Sequence, residues 1–208
     1  DVMNKQREII YSQRKQVLDG MDIHELITGM ISSLVSQTVH AAFGERKHLD
    51  ESGCRAMLAS LEGTFFPRGS VTFTPEEAAS ASEEDLTRRC TEQALETYAA
   101  KERELEAVRA EGAGIPDMRE LERVVMLRVV DEYWMDHIDA MQDLRQGIRL
   151  RAYAQSNPVD AYKQESLHMF EEMIAAIQEE TVRRLYSVRI QKNEEVKRER
   201  VATGITEG

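Results

Sequence analysis

Two Glu-x-x-His strings, Glu45–His48 and Glu165–His168, are the sharpest enzymatic signal in these 208 residues. On facing helices, with two more glutamates, such strings hold a di-iron or di-manganese centre inside a helical bundle. The first is badly placed for that. It follows Gly44 directly and encloses Arg46 and Lys47, two cations beside a would-be cation site. Solvated surface residues are the plainer reading. His137 lies in "WMDHIDAMQD" with Asp136, Asp139 and Asp143, but no ligand set closes around the ring. An acidic surface face carrying a hydrogen-bonded histidine is expected there, with Trp134 in the core because it continues an apolar stripe. Nucleotide hydrolysis has less support still. A phosphate loop needs GxxxxGK[ST], whereas the nearest glycine run, "GTFFPRG" at 63–69, has other spacing and no lysine.

The remaining candidate is a loop, "LRAYAQSNP" at 150–158. Between 145 and 163 stand Arg145, Arg149, Arg151 and Lys163 against Asp160, a net +3 in a chain whose formal charge is −11. Two readings stay open on composition. One is a plain helix connection solvated by its arginines. The other is a contact tip, in which the Tyr153 ring offers apolar area while the arginines hold position.

Helices must position that loop. Apolar periodicity predicts helices over 2–19 and from Asp22 to about Phe43, with Gly44 ending the second. A short helix is expected at 49–61, and "GTFFPRGSVTFTP" after it mixes turn, aromatic and β-branched residues. Thr74-Pro75-Glu76-Glu77 reads as a helix start, with Thr74 as cap, proline first and acids in the first turn. The stretch 76–111 holds 11 acids and 5 bases, the pattern of a solvated amphipathic helix with a break near Ser80–Ser82. "EGAGIPD" at 111–117 is the clearest breakpoint. After it, 117–147 is so apolar over 121–130 that more than one face must be covered, then narrows to Trp134, Ile138, Met141 and Leu144. Asn157-Pro158 restarts a helix whose buried face carries Tyr162, Ser166, Phe170, Met173, Ile177, Leu185 and Val188. Two arms of similar length across a short connection make an antiparallel helical hairpin. Residues 191–208 lack a core-forming pattern and are expected to be a disordered tail.

Composition narrows the class. The chain is 41% hydrophobic and 31% charged, with four prolines, which suits an all-α protein with long exposed helices. A net −11 argues against a nucleic-acid partner, because a phosphate backbone would be repelled. Cys54 and Cys90 stand 36 positions apart with no CxxC, so zinc and redox chemistry lack support and a reduced compartment is the simplest setting. No signal peptide is visible, and no apolar run is expected to approach the roughly 20 residues that span a bilayer. The opening, with no methionine and residues typical of a helix interior, suggests a piece of a longer protein. Ten methionines could line an adaptable surface, though gap-filling between helices is the plainer reading.

From Val125 onward, "VMLRVVDEYWMDHIDAMQDLRQGIRLRAYAQSNPVDAYKQESLHMFEEMI" resembles the SecA family, the motors of bacterial preprotein export. The opening "NKQREIIYSQRKQVLDG" is similar to the stretch where a long scaffold helix of that family enters its wing domain. The likeness is strong over 1–35 and 120–190 and weak over 45–110. It implies that 1–19 and 113–190 are helical scaffold, including a two-helix finger over about 120–188, and that 20–112 is a helical wing.

It also implies a function. The fingertip at 149–158 would enter the cytoplasmic mouth of the SecY channel, with Tyr153 against the unfolded preprotein. Arg149, Leu150, Arg151, Ala152, Gln155, Asn157 and Pro158 would contact the channel. Ala152 stands where a glycine is often found, which would stiffen the tip. The finger would also restrain or couple ATP hydrolysis. The motor domains that use ATP and Mg²⁺ lie outside these residues, so no cofactor is expected here. Other SecA domains and an anionic membrane surface are implied neighbours, at the cytoplasmic face of the plasma membrane. Outside the resemblance, a free-standing helical adaptor is the main alternative, and the di-metal enzyme the lesser one.

Overall fold

In the computed structural model, residues 2–112, 114–151 and 157–189 are described. They form seven α-helices and no strand beyond a single bridge between Glu62 and Phe66. The helices are α1 (Val2–Leu18), α2 (His24–Phe43), α3 (Glu51–Leu61), α4 (Pro75–Ser80), α5 (Glu83–Ala110), α6 (Met118–Arg151) and α7 (Pro158–Ser187).

Local chemistry sets their ends. Gly44 adopts φ +57 and its N–H bonds His40 O, closing α2. The Asp50 carboxylate accepts from Gly53 N at 2.7 Å to open α3. Thr74 and Glu77 form a reciprocal capping box around Pro75. The expected break in the acidic stretch is real, for Ser82 caps a fresh helix by accepting from Asp85 N. Asp117 accepts from Glu120 N at 2.8 Å at the start of α6, and Asn157 accepts from Asp160 N at the start of α7.

The helix α2 is the axis of the main core. Ile27, Met30, Ile31, Val35, Val39 and Phe43 are all buried at helical spacing, against α3, α5, α6 and α7. At 20 residues it is long and apolar enough to cross a membrane by length and composition, contrary to the sequence expectation. Its buried stripe shows what the apolarity serves here. Phe65 and Phe66 of the "GTFFPRG" turn also enter this core. Cys54 and Cys90 are buried free thiols, and burial pushes Cys90 up to about 11.

Helices α6 and α7 pair along their lengths as an antiparallel hairpin, with α1 lying across both. Their 34 and 30 residues correspond to roughly 51 and 45 Å. The dense apolar run at 121–130 is covered from inside the chain by α1, α2, α5 and α7. Met126 and Val129 are buried, Leu121, Val125, Leu127 and Val130 are half-buried, and Val124 is exposed. Farther out, Met141, Leu144 and Ile148 form a second, separate cluster with Met3, Ala161, Tyr162 and Met169.

Candidate functional site

The hairpin is held at its base, its middle and its flank by three different kinds of contact. At the base lies Glu122, with no exposed surface. Its Oε1 accepts from Tyr98 Oη at 2.9 Å, Arg119 Nη1 at 2.8 Å and His24 Nδ1 at 2.9 Å. Arg119 Nη2 goes on to Glu102 at 2.6 Å, and the His24 ring stacks on Tyr98. A buried carboxylate on α6 is thus hydrogen-bonded from α2 and α5 as well as from its own helix. Such a group costs too much to bury without those donors. Its Oε2 has no partner among the described residues.

The other arm of the base is capped by α5. Lys101 Nζ donates to the carbonyls of Tyr186 and Val188, at the end of α7 and just past it, and burial lowers its pKa. The Tyr186 hydroxyl donates to Ala94 O at 2.7 Å, and its ring lies 5.4 Å from both Phe65 and Tyr98.

In the middle, Gln6 of α1 bridges the two arms. Its Nε2 donates to Ser166 O at 3.1 Å, which leaves Oε1 to accept from His137 Nε2 at 2.8 Å. His137 is 5% exposed, so the expected surface histidine is instead a buried one, while its neighbours Asp136, Asp139 and Asp143 face solvent. Burial lowers its pKa, keeping the ring neutral. This polar layer lies along the hairpin between the main core and the distal apolar cluster.

On the flank, neighbouring acids of α6 face opposite partners. Asp131 takes both Arg14 nitrogens, at 2.7 and 3.0 Å, and Glu132 takes Arg184 at 3.2 and 2.6 Å. Both pairs are bidentate, the geometry that favours arginine over lysine.

The predicted tip residues fall differently. Arg149, Leu150 and Arg151 are the last residues of α6, four residues beyond the expected helix end at 147. Arg-Leu-Arg has high helix propensity, and no proline intervenes until 158. Leu150 is 80% exposed and Arg149 is exposed. Asn157 and Pro158 begin α7 as expected. Ala152, Tyr153 and Gln155 lie outside the described residues, as does the tail at 191–208.

The chemical alternatives find no support in the geometry. His48 bonds Ala81 O, while His168 pairs with Glu172 on its own helix. No three metal-binding side chains converge among the described residues. The "GTFFPRG" turn does not fit a nucleotide either. Its Gly69 N–H is taken by the Glu62 carboxylate at 2.7 Å, a charge that would repel phosphate.

These residues define a helical scaffold element: a braced hairpin with a four-helix insert packed at its base. The chain matches the family model described as the SecA wing and scaffold domain over residues 1–189. It is 45% identical to the protein translocase subunit SecA of Clostridium perfringens, with all of this chain and 24% of that protein aligned. The protein of the same name from Heliobacterium modesticaldum is 43% identical over 91% of the chain and 21% of its own length. That from Acetivibrio thermocellus is 40% identical over 99% and 22%. The chain belongs to the SecA family. It spans about a quarter of the length of these relatives, and the likeness runs through the insert as well as the hairpin.

Proposed function

We propose that this chain is the mechanical, non-catalytic part of a SecA protein-export motor. Residues 1–19 and 113–190 act as scaffold and 20–112 as wing, with α6 and α7 as the two-helix finger. Its tip enters the cytoplasmic mouth of the SecY channel and Tyr153 touches the unfolded preprotein. Arg149, Leu150, Arg151, Ala152, Gln155, Asn157 and Pro158 lie against the channel. ATP hydrolysis belongs to motor domains elsewhere in the longer relatives, and the finger couples to it or restrains it. The place of work is the cytoplasmic face of the plasma membrane, beside other SecA domains and anionic lipid.

One observation supports this most: the hairpin is anchored unevenly. Its base sits in the core of the insert, its middle is pinned by Gln6, and its far end leads to an exposed Leu150. A rod held at one end transmits force to the other. An aromatic tip suits a moving, variable chain, because it buries area without demanding one hydrogen-bond pattern. The test uses the longer protein that carries this chain together with its motor domains. Tyr153→Ala should slow preprotein import into inverted membrane vesicles and leave nucleotide binding unchanged, with Tyr153→Phe milder. Equal import by wild type and Tyr153→Ala removes the gripping role.

A further inference from the structure

Beside the distal half of the hairpin, α1, α6 and α7 enclose an open cleft of about 610 Å³. Its floor is apolar. Met141 and Ile148 are buried there, with half-buried Tyr162 packed against their cluster. Its rim is cationic: Arg7 comes from α1, Arg145 and Arg149 from α6 and Lys163 from α7, and no carboxylate lines it among the described residues. Arg145, Arg149 and Lys163 make no ion pair among the described residues. Arg14, Arg119 and Arg184 elsewhere on the same scaffold are each matched by an acid.

Unmatched cations around an apolar floor, in a chain of net −11, select an anion that also carries apolar groups. Shape decides which kind. A bilayer is flat and meets the rim without reaching the floor. A nucleic acid supplies phosphate but no aliphatic side chains. A polypeptide supplies both carboxylates and side chains that insert.

We infer that this cleft docks an acidic, amphipathic polypeptide segment, its apolar side chains on Met141, Ile148 and Tyr162 and its carboxylates on Arg145 and Lys163. The inference goes beyond the fingertip reading, which uses neither Arg145 nor Lys163, so either can fail alone.

The test is fluorescence anisotropy of the chain with a short fluorescein-labelled helical peptide, leucines on one face and glutamates along its edges. Saturable binding is expected, weakening with added salt. An Arg145→Glu, Lys163→Glu double variant should bind about tenfold more weakly and gain affinity for a lysine-edged version of the peptide. Both side chains are exposed, so far-UV circular dichroism should be unchanged; should the double variant melt early, Lys163→Gln alone is expected to weaken binding about threefold. Equal binding of the two peptides by wild type, or undiminished binding by the variants, overturns the inference. Failure of the peptide alongside binding of phosphatidylglycerol vesicles that depends on Arg145 and Lys163 also overturns it, and makes the face a membrane contact.

Discussion

Removing the Glu122 carboxylate should cost about 3 kcal/mol, because Tyr98 loses its buried acceptor and Arg119 loses one of its two carboxylate partners. For a chain of this size that is a fall of roughly 6–12 °C in Tm, read by circular dichroism on Glu122→Ala. Tyr98→Phe, which deletes a single donor, should cost about 1 kcal/mol. No fall in Tm for Glu122→Ala would mean that the carboxylate is not holding the base. His137 gives a pH test. Its folded pKa lies below its ordinary 6.5, so the unfolded chain takes up protons first as pH falls. The stability from a neutral His137 is full above about pH 6.5 and is lost on acidification through the folded pKa. Thermal melts from about pH 7.5 to 5.5 should show this slope, and His137→Gln should flatten it; identical slopes would exclude the imidazole as its source. Little of this was legible beforehand. In "LERVVML" Glu122 reads as a solvated acid, since its partners stand up to 98 residues away. The one sequence signal is an acid inside an apolar run. His137 misled for a similar reason: its aspartate neighbours face water, and the covering Gln6 is 131 residues off.

Elements were far more readable than residues. The caps at Thr74 and Asn157 and the stop at Gly44 are local chemistry, complete within four residues, and each stands where the sequence puts it. The hairpin followed from two long periodic arms and a short connection. Its outer end did not, since nothing between Gly147 and Arg151 forbids helix and propensity carries α6 onward. In the apolar run 121–130 one face is fully buried, at Glu122, Met126 and Val129, with half-buried residues on either side and Val124 exposed. The covering comes largely from α1, α2, α5 and α7 of this same chain rather than from absent domains. Backbone amides of 121–130 should therefore be among the slowest to exchange in the chain by itself, and equally slow in the longer protein. Fast exchange in the isolated chain, slowed in the longer protein, would assign the covering to other domains. The Arg14–Asp131 and Arg184–Glu132 braces belong to this scale as well. Both are partly solvent-exposed, so each should contribute little to Tm and more to keeping α1 and α7 in register on α6.

At the scale of the whole molecule, helices α2 to α5 and the base of the hairpin share one core. Helix α5 supplies Tyr98 and Lys101 to the hairpin base, and α1 supplies Gln6 to its middle and Met3 to the small distal cluster. The proposed lever needs that order, held at the base and exposed at Leu150. The family was legible from the run after Val125 because the hairpin and its tip are encoded contiguously. The insert was the hard part, since its partners meet only through folding. The most direct measurement places a photo-crosslinking amino acid at position 153 of the longer protein, during import of a stalled preprotein into inverted membrane vesicles. A control is placed at Glu96 on the exposed face of α5. Crosslinks from 153 to both the channel and the preprotein, lost without ATP, are expected, and none to either from 96. Equal crosslinking from the two positions, or none from 153, would contradict the proposed fingertip contact.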